Sequence, residues 1–198
     1  IQNCSDVLLT DITLKESPFW TVQIVYSEHV TVRGLSILNN ENGHGPSSDG
    51  INVDSSTDVL VEHNYIDCND DNLCIKSGRD ADGQRVNRPS EYIVVRNNRT
   101  KKGAGLITFG SEVSGGIRNI YVHDLEGDGT TRGIRLKSAR NRGGTVENIY
   151  IENIKLINSP YAFQFTLDWN PKYSYSKLPE HYNYETIPQR WETLLEPV

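Results

Sequence analysis

The stretch Asn119-Ile120-Tyr121-Val122 returns 29 residues later as Asn148-Ile149-Tyr150-Ile151. Four earlier stretches have the same form, a residue with a polar group followed by two apolar residues that flank a variable one; they begin at Asp6, His29, Asp58 and Tyr92. The first apolar residues of the six stretches stand 23, 29, 34, 27 and 29 residues apart. Because apolar residues alternate with a period of two, each stretch is predicted to form a half-buried β-strand.

A second alternating run follows most of these stretches, with Gly, Asn, Asp and Ser clustered in between as turns require. These runs lie at residues 21–24, 51–53, 73–75, 106–109, 134–136 and 162–165. Short strands at an irregular period of about 30 residues predict an all-β solenoid, a parallel β-helix whose coils stack roughly 4.8 Å apart. The predicted inward column is Val7, Val30, Val59, Ile93, Ile120 and Ile149, and the predicted bend residues include Asn97, Asn119, Asn148 and Asn153. An antiparallel sandwich also has many short strands and is the alternative fold.

The length of 198 residues is enough for one substantial core. The sequence has no Met, starts inside the first repeat and ends without an evident cap, although solenoids need capped ends. We therefore expect a fragment of a longer solenoid, with coils over residues 1–167 and an aromatic, Pro-rich loop or insertion of the same domain over 168–198. The missing leader leaves the compartment open, and no stretch is long enough to cross a membrane.

The three cysteines do not make a disulfide framework. Cys68 and Cys74 flank a pair of acids and could form a disulfide, but Cys74 alternates as an inward residue, which favours a buried free thiol. The Cys and His residues also lack the spacing of a metal site, so we expect neither a metal nor a cofactor.

The charge is unevenly distributed along the chain. The formal net charge is −6, yet residues 76–142 hold 14 of the 20 Lys and Arg residues and only 7 of the 26 Asp and Glu residues. A basic middle in an acidic protein favours an anionic partner. A basic helix and the interleaved aromatic and basic residues of nucleic-acid modules are missing, so an acidic polysaccharide is the better candidate.

Two acids occupy the same place in successive repeats. Asp49 stands two residues before Ile51, and Asp71 stands two residues before Leu73, with Asp70 beside it. If the coils stack, these carboxylates lie close together, and their repulsion raises one pKa, which leaves one acid and one base near neutral pH. Such a pair can hydrolyse a glycosidic bond. The alternative is that these Asp residues only form turns.

The same column continues through Ala104 and Arg132 when Leu106 is aligned with the earlier apolar residues. Arg135 and Lys137 lie one strand further on and alternate, so they face the same side. They are candidates to bind a substrate carboxylate, and a salt-bridge ladder between coils is the alternative.

Four motifs, in this order, resemble those of glycoside hydrolase family 28, which contains the polygalacturonases and rhamnogalacturonan hydrolases. They are Ser47-Ser48-Asp49-Gly50, Asn69-Asp70-Asp71-Asn72 followed by Lys76-Ser77-Gly78, Gly110-Ser111-Glu112 with Ser114-Gly115-Gly116 behind it, and Gly133-Ile134-Arg135-Leu136-Lys137-Ser138. The resemblance covers nearly the whole chain up to about Trp169. It implies a right-handed, single-stranded parallel β-helix and hydrolysis of pectic polysaccharide with inversion.

The resemblance also implies a role for each matched residue. Asp70 would be the general acid, and Asp49 and Asp71 would activate water, with acid and base roughly 6.5–9.5 Å apart in an inverting site. The implied substrate-binding residues are Arg135, Lys137 and Lys76. The implied partner is pectin or an acidic oligosaccharide, without nucleic acid or membrane, and the implied protein is a secreted or periplasmic monomer.

One position departs from the polygalacturonase pattern. Those enzymes have Gly-His-Gly where this chain has Gly103-Ala104-Gly105, and rhamnogalacturonan-type members resemble this chain in lacking that His. The Ser47-Ser48 pair departs as well, so a rhamnogalacturonan-type substrate is favoured, with a pseudoenzyme left open. His44, on a Gly-rich turn before Asp49, could supply an imidazole at the rim, whereas the structural histidines are His29, His63 and His123.

The tail after Asp168 loses its alternation and gains aromatic residues such as Trp169. It is either a lid that stacks on sugar rings or a loop packed on the solenoid, with a short helix at residues 187–195. Two other functions compete with hydrolysis. One is a calcium-dependent polysaccharide lyase, whose unsaturated product absorbs ultraviolet light, and the other is a non-catalytic, carbohydrate-binding β-helix.

Overall fold

A computed structural model describes residues 1–41 and 47–169 of the chain, and almost all of its regular structure is strand. The strands are β1 (Ser5–Thr10), β2 (Thr13–Lys15), β3 (Val22–Val25), β4 (Glu28–Arg33), β5 (Ser36–Leu38), β6 (Ile51–Asp54), β7 (Thr57–Glu62), β8 (Tyr65–Asp67), β9 (Leu73–Lys76), β10 (Ser90–Arg96), β11 (Arg99–Lys101), β12 (Ile107–Gly110), β13 (Ile117–Asp128), β14 (Arg132–Lys137), β15 (Val146–Ile157) and β16 (Tyr161–Thr166). The helical elements are α1 (Asp80–Val86) and the 3-10 helix η1 (Arg140–Arg142). In the described ranges no helix is long and apolar enough to cross a membrane.

The described strands pair in parallel with strands of the neighbouring coils. The chain therefore forms a right-handed parallel β-helix, which confirms the predicted fold and rules out the antiparallel sandwich. The strands β3, β6, β9, β12, β14 and β16 form one six-stranded sheet, here called the groove sheet. The other ten strands form a second, bent sheet, and the core lies between the two.

The predicted inward column is confirmed in register. The consecutive pairs are Val7 with Val30, Val30 with Val59, Val59 with Ile93, Ile93 with Ile120 and Ile120 with Ile149. The four inner members are exposed by 2% or less, whereas Val7 and Ile149, in the first and last coils, are only partly buried. Burying each such side chain contributes about 1.5–3 kcal/mol, so the repeated Val and Ile residues form the main stabilising column of the solenoid.

Bends between strands are made by residues with positive φ, and these recur five residues apart. Examples are Tyr92, Asn97 and Lys102 in one coil and Asn148, Asn153 and Asn158 in another, all with φ between 51° and 56°. Asn and Asp adopt this left-handed conformation more readily than other residues with a side chain. The predicted bend positions at Asn97, Asn119, Asn148 and Asn153 are confirmed.

A buried amide ladder lies next to one of these bend columns. Asn64 Oδ1 accepts a hydrogen bond from Leu35 N at 2.9 Å, and its Nδ2 donates to Val32 O at 3.2 Å. One coil further on, Asn98 Oδ1 accepts from Asn64 N at 2.9 Å, and its Nδ2 donates to Val61 O at 2.9 Å. The two amides thus satisfy backbone groups that the bends leave without a strand partner.

The longest coil contains an insertion between β9 and β10, and α1 lies in it. Gln84 of α1 donates through Nε2 to the carbonyls of Asn141 (3.1 Å) and Arg142 (2.7 Å) in η1. Arg142 is fully buried and forms an ion pair with Asp80 at the start of α1. The sequence shows its longest spacing, 34 residues, at this coil, but the helix in it was not predicted. The paired α1 and η1 form a wall beside the groove sheet.

Candidate active site

Parallel pairing places Asp49 and Asp71 at equivalent positions of neighbouring coils. Ile51 pairs with Leu73, and the N–H of Gly50 donates to the carbonyl of Asp71 at 2.9 Å, just before the paired strands. Both carboxyl groups are buried, with residue exposures of 3% for Asp49 and 0% for Asp71. The predicted juxtaposition of the two acids is therefore present in the structure.

The prediction that Ala104 continues this column is wrong by one residue. Ile107, not Leu106, pairs with Leu73, so Gly105 occupies the position next to Asp71. A Cβ atom on Gly105 would lie 2.7 Å from Asp71 Oδ1 and 2.3 Å from Thr108 Oγ1. The close approach of these two side chains excludes any residue larger than glycine here.

Asp71 is bound by both cations that the sequence predicted to bind a substrate carboxylate. Arg135 Nη1 donates to Oδ1 at 3.0 Å, and Lys137 Nζ donates to Oδ2 at 2.7 Å. Burial acts to raise the pKa of Asp71, but the charges of Lys137 and Arg135 outweigh it and hold that pKa below its usual value. Asp71 is therefore an ionised carboxylate, and the two alternating cations do face one side, as predicted.

Asp49 has a different environment. Burial raises its pKa to about 6, and the nearby carboxylate of Asp71 adds to this effect, while Lys76 at 3.3 Å opposes it. The one raised pKa predicted for the acid cluster belongs to Asp49, but its larger cause is burial and not the predicted repulsion between acids. The site accordingly contains one carboxyl group that exchanges its proton near pH 6 and one that stays ionised, a division suited to acid–base chemistry.

Asp70 is the partly exposed acid of the three. Its Oδ2 accepts a hydrogen bond from Ser47 Oγ at 2.5 Å, and its Oδ1 accepts from Asp71 N at 2.9 Å. The two bonds fix the carboxyl group at the surface of the groove, where a leaving group could reach it.

The surroundings of Lys76 and Cys74 differ from those that the sequence predicted. Leu73 and Ile75 point into the core, so Cys74 faces the groove side of the sheet, where its thiol lies 3.6 Å from Asp49 Oδ2; the predicted inward orientation is wrong. Cys74 is nevertheless a buried free thiol, as predicted, and so is Cys68. Lys76 is also buried, and its Nζ lies 3.0 Å from Glu112 Oε2 as well as 3.3 Å from Asp49.

A groove of about 620 Å³ runs along the outer face of the groove sheet, and its lining includes Asp49, Asp70, Lys76, Glu112 and Lys137. Trp20 lies at one end, stacked on Phe19 with ring centroids 4.9 Å apart and with Lys76 Nζ 4.5 Å from its ring. Trp169 lies at the other end, 5.0 Å from Arg135 and 4.8 Å from Lys137. Trp20 stands two residues before Val22, just as Asp49 stands two residues before Ile51, but sequence reasoning missed it.

The other predicted positions are accounted for as follows. His44 and residues 170–198, including the helix expected at 187–195, lie outside the described residues. His29 and His63 have positive φ at bends, and His123 contacts Asp124 with Nδ1 2.6 Å from Oδ2. Oxygens of Asp49 and Asp71 and the sulfur of Cys74 lie within 4.8 Å of one another, a spacing that suits metal ligands, but Lys76, Arg135 and Lys137 already neutralise these acids.

The fold and the groove together define a class, right-handed parallel β-helices with paired acids and cations on the outer face of one sheet. The model of the family "Glycosyl hydrolases family 28" matches residues 1–177, and the chain belongs to this family.

Relatives and solved structures agree with this assignment. The chain is 32% identical over 185 residues to a probable polygalacturonase from Vitis vinifera, covering 93% of this chain and 36% of that protein. It is 28% identical over 166 residues to an endo-polygalacturonase from Pectobacterium carotovorum subsp. carotovorum, covering 73% of this chain and 39% of that protein. A hyperthermoactive exopolygalacturonase from Thermotoga maritima superposes with a TM-score of 0.80 at 36% identity, covering 84% of this chain and 38% of that one. The chain thus spans less than two fifths of the length of these relatives.

Proposed function

We propose that the protein to which this chain belongs hydrolyses galacturonate-containing pectic polysaccharide with inversion of anomeric configuration. The observation that carries the proposal is that Asp49, Asp70 and Lys137 line one groove, while the buried Asp71 binds both Lys137 and Arg135. Membership of family 28 and the printed names of its polygalacturonase relatives support a glycosidase that acts on pectin. The lyase alternative is not favoured, because the matching family consists of hydrolases.

In this proposal Asp70 protonates the leaving oxygen, and Asp49 and Asp71 activate the attacking water. The division is supported by exposure, because Asp70 is reachable from the groove while the other two acids are buried. It is also supported by spacing. The acid and the base of an inverting site stand roughly 6.5–9.5 Å apart, whereas oxygens of Asp49 and Asp71 lie within 4.8 Å of each other. Asp49 and Asp71 are therefore too close to be the acid and the base, and they suit a shared role on the water.

The same short spacing is close to the roughly 5–5.5 Å that separates the acid and nucleophile of a retaining enzyme. Asp71 is a poor candidate for a nucleophile, because both of its oxygens are bound by cations. The anomeric configuration of the first product, followed by proton NMR, decides between the two mechanisms. Inversion is expected, and retention would assign Asp49 and Asp71 to a covalent mechanism instead.

Arg135 and Lys137 are proposed to bind a galacturonate carboxylate of the substrate. In the described structure they bind the carboxylate of Asp71, and the ring of Trp169 covers them. Each cation has donors left over after its bond to Asp71, because a guanidinium offers five and an ammonium three. A substrate carboxylate can therefore join the cluster without displacing Asp71.

The proposal also concerns which polysaccharide backbone the protein prefers. Ala104 and the Ser47-Ser48 pair favour a rhamnogalacturonan-type backbone, while the relatives carry the name polygalacturonase. Hydrolysis of rhamnogalacturonan and homogalacturonan oligosaccharides of equal length, compared under the same conditions, decides which backbone is preferred. We further propose that the protein acts as a monomer outside the cytoplasm, on pectin or its acidic fragments.

The catalytic assignment is tested with Asp70→Asn in the full-length protein. Turnover is expected to fall on the order of 10²-fold or more, the usual scale for a lost general acid, with an unchanged thermal midpoint. Asp58→Asn is the matched control, because Asp58 is an exposed bend residue with φ of 53°, a conformation that Asn tolerates. Full activity of Asp70→Asn would contradict the mechanism, and a wild type inactive on every pectic substrate would favour a non-catalytic carbohydrate-binding protein.

A further inference from the structure

The position of Lys76 suits contact with Asp49 better than contact with a substrate. Its side chain is only 4% exposed at the end of β9, and its ammonium contacts Asp49 Oδ2 at 3.3 Å and Glu112 Oε2 at 3.0 Å. The ring of Trp20 lies 4.5 Å from the same nitrogen. The ammonium group is thus enclosed by two carboxylates and one aromatic ring. These contacts favour a role of Lys76 in holding Asp49 over the substrate-binding role that the family resemblance implied.

Glu112 is in turn fixed from the opposite side. Ser111 Oγ donates to Glu112 Oε1 at 2.8 Å, and Arg142 Nη2 lies 3.9 Å from the same oxygen. Arg142 is fully buried, donates from Nε to the carbonyl of Ser111 at 2.8 Å and forms an ion pair with Asp80. The wall of α1 and η1 thus anchors a line of alternating charges that runs from Arg142 through Glu112 and Lys76 to Asp49.

We propose that Glu112 and Lys76 are positioning residues for Asp49, Glu112 holding the ammonium of Lys76 against the carboxylate that activates water. The proposal rests on the proposed hydrolase function. It adds that Lys76 determines where the carboxylate of Asp49 points and how strongly it holds its proton. Glu112 fixes the position of the ammonium, and its negative charge partly offsets the effect of Lys76 on that proton. Neither residue needs to touch the substrate.

The two residues should influence Asp49 in opposite directions. Loss of the Lys76 charge leaves Asp49 buried without its nearest cation, so its pKa should rise. Loss of the Glu112 charge leaves the ammonium to Asp49 alone, so the pKa of Asp49 should fall. The other charged or titratable groups that face this line are Asp70, Asp71 and Lys137 around Asp49, Cys74 beside Lys76, Asp54 beside both Lys76 and Glu112, and Arg142 beside Glu112. These groups are unchanged in both variants.

The test compares the pH dependence of kcat/KM for Lys76→Met and Glu112→Gln in the full-length protein, on a pectic oligosaccharide that the wild type cleaves. The acidic limb is expected to move up by about one pH unit in Lys76→Met and down in Glu112→Gln. Turnover should drop in both variants by roughly tenfold, with KM nearly unchanged. A specific rise in KM of Lys76→Met with an unmoved acidic limb would instead make Lys76 a substrate ligand.

Glu62→Gln is the matched control for Glu112→Gln. Glu62 is also a buried carboxylate in an ion pair, with Arg96 Nη2 at 2.8 Å, but it lies on β7 in the other sheet. It should lower stability without moving the acidic limb. If Glu62→Gln moves the limb as Glu112→Gln does, or if both test variants move it in the same direction, the proposal is wrong.

A readout without turnover separates this proposal from the hydrolase function. The pKa of the Asp49 carboxyl group can be followed by ¹³C NMR in labelled protein, with Asp49→Asn identifying its signal. The expected order is Lys76→Met above wild type and wild type above Glu112→Gln. If Lys76→Met does not fold, the double variant Lys76→Met/Glu112→Gln should also lie above wild type. This order is tested even if the wild type cleaves no pectic substrate, and a different order overturns the proposal.

Discussion

At the scale of single residues, the raised pKa of Asp49 has a cost in stability. Burial shifts this pKa from 3.8 to about 6, so the folded state holds the proton more tightly than the unfolded state does. Between about pH 4 and 6, the contribution of Asp49 to stability therefore falls as the pH rises. The ionised form of Asp49, which the proposed chemistry needs, therefore lowers the stability of the folded state.

Asp49→Asn is expected to stabilise the protein at pH 7, because it removes a buried charge while Lys76 keeps Glu112 as a partner. The gain should approach about 3 kcal/mol at pH 7 and vanish near pH 4, where Asp49 is protonated in the wild type as well. Denaturant unfolding at both pH values measures the difference. Equal stabilities at pH 7, or a less stable variant, would show that Lys76 offsets the burial of Asp49 more than the structure indicates.

At the scale of elements, neighbouring asparagines at the bends have unlike roles. Asn97 is an exposed residue with φ of 53°, whereas Asn98 is fully buried and bonds the backbone of two other residues. Sequence reasoning identified Asn97 as a bend residue and overlooked Asn98, since nothing local distinguishes two adjacent amides.

Asn98→Ala is therefore expected to lower the free energy of unfolding by about 2–4 kcal/mol, because it leaves the N–H of Asn64 and the carbonyl of Val61 buried without partners. Asn97→Gly is the matched control and should change stability by less than about 1 kcal/mol, since Gly also accepts positive φ. Thermal and denaturant unfolding of both variants measures the contrast. Equal losses at the two positions would contradict the ladder.

At the scale of the whole molecule, the net charge and the two cations Arg135 and Lys137 should act in opposite directions on an acidic substrate. The chain carries a formal charge of −6, while Lys137 lines the groove and shares the carboxylate of Asp71 with Arg135. If the two cations dominate, salt weakens the binding of an acidic oligosaccharide; if the net charge dominates, salt strengthens it.

We expect KM for an acidic oligosaccharide to rise by roughly threefold or more between about 0.05 and 0.5 M NaCl. The reason is that salt screens the attraction of Arg135 and Lys137 for its carboxylates. A fully methyl-esterified oligosaccharide is the control, and its KM or dissociation constant should respond little. A KM that falls with added salt would show that overall repulsion, and not the pair of Arg135 and Lys137, governs encounter.

The sequence by itself determined the solenoid, its inward column and the juxtaposition of Asp49, Asp71, Arg135 and Lys137. These features depend on a period of two within each strand and on the near-constant place of each strand in its coil, and both are local properties. The same register places Trp20 level with Asp49, although sequence reasoning overlooked it.

Only the tertiary structure decided the features that depend on contacts between coils. It shows that Gly105, and not Ala104, continues the acid column and that Cys74 faces the groove. It also shows that Lys76 contacts both Glu112 and Asp49. A slip of one residue in a strand sends every side chain to the opposite face, and insertions such as α1 change where a coil resumes. Charge partners more than thirty residues apart are then fixed by stacking and burial, which no single repeat encodes.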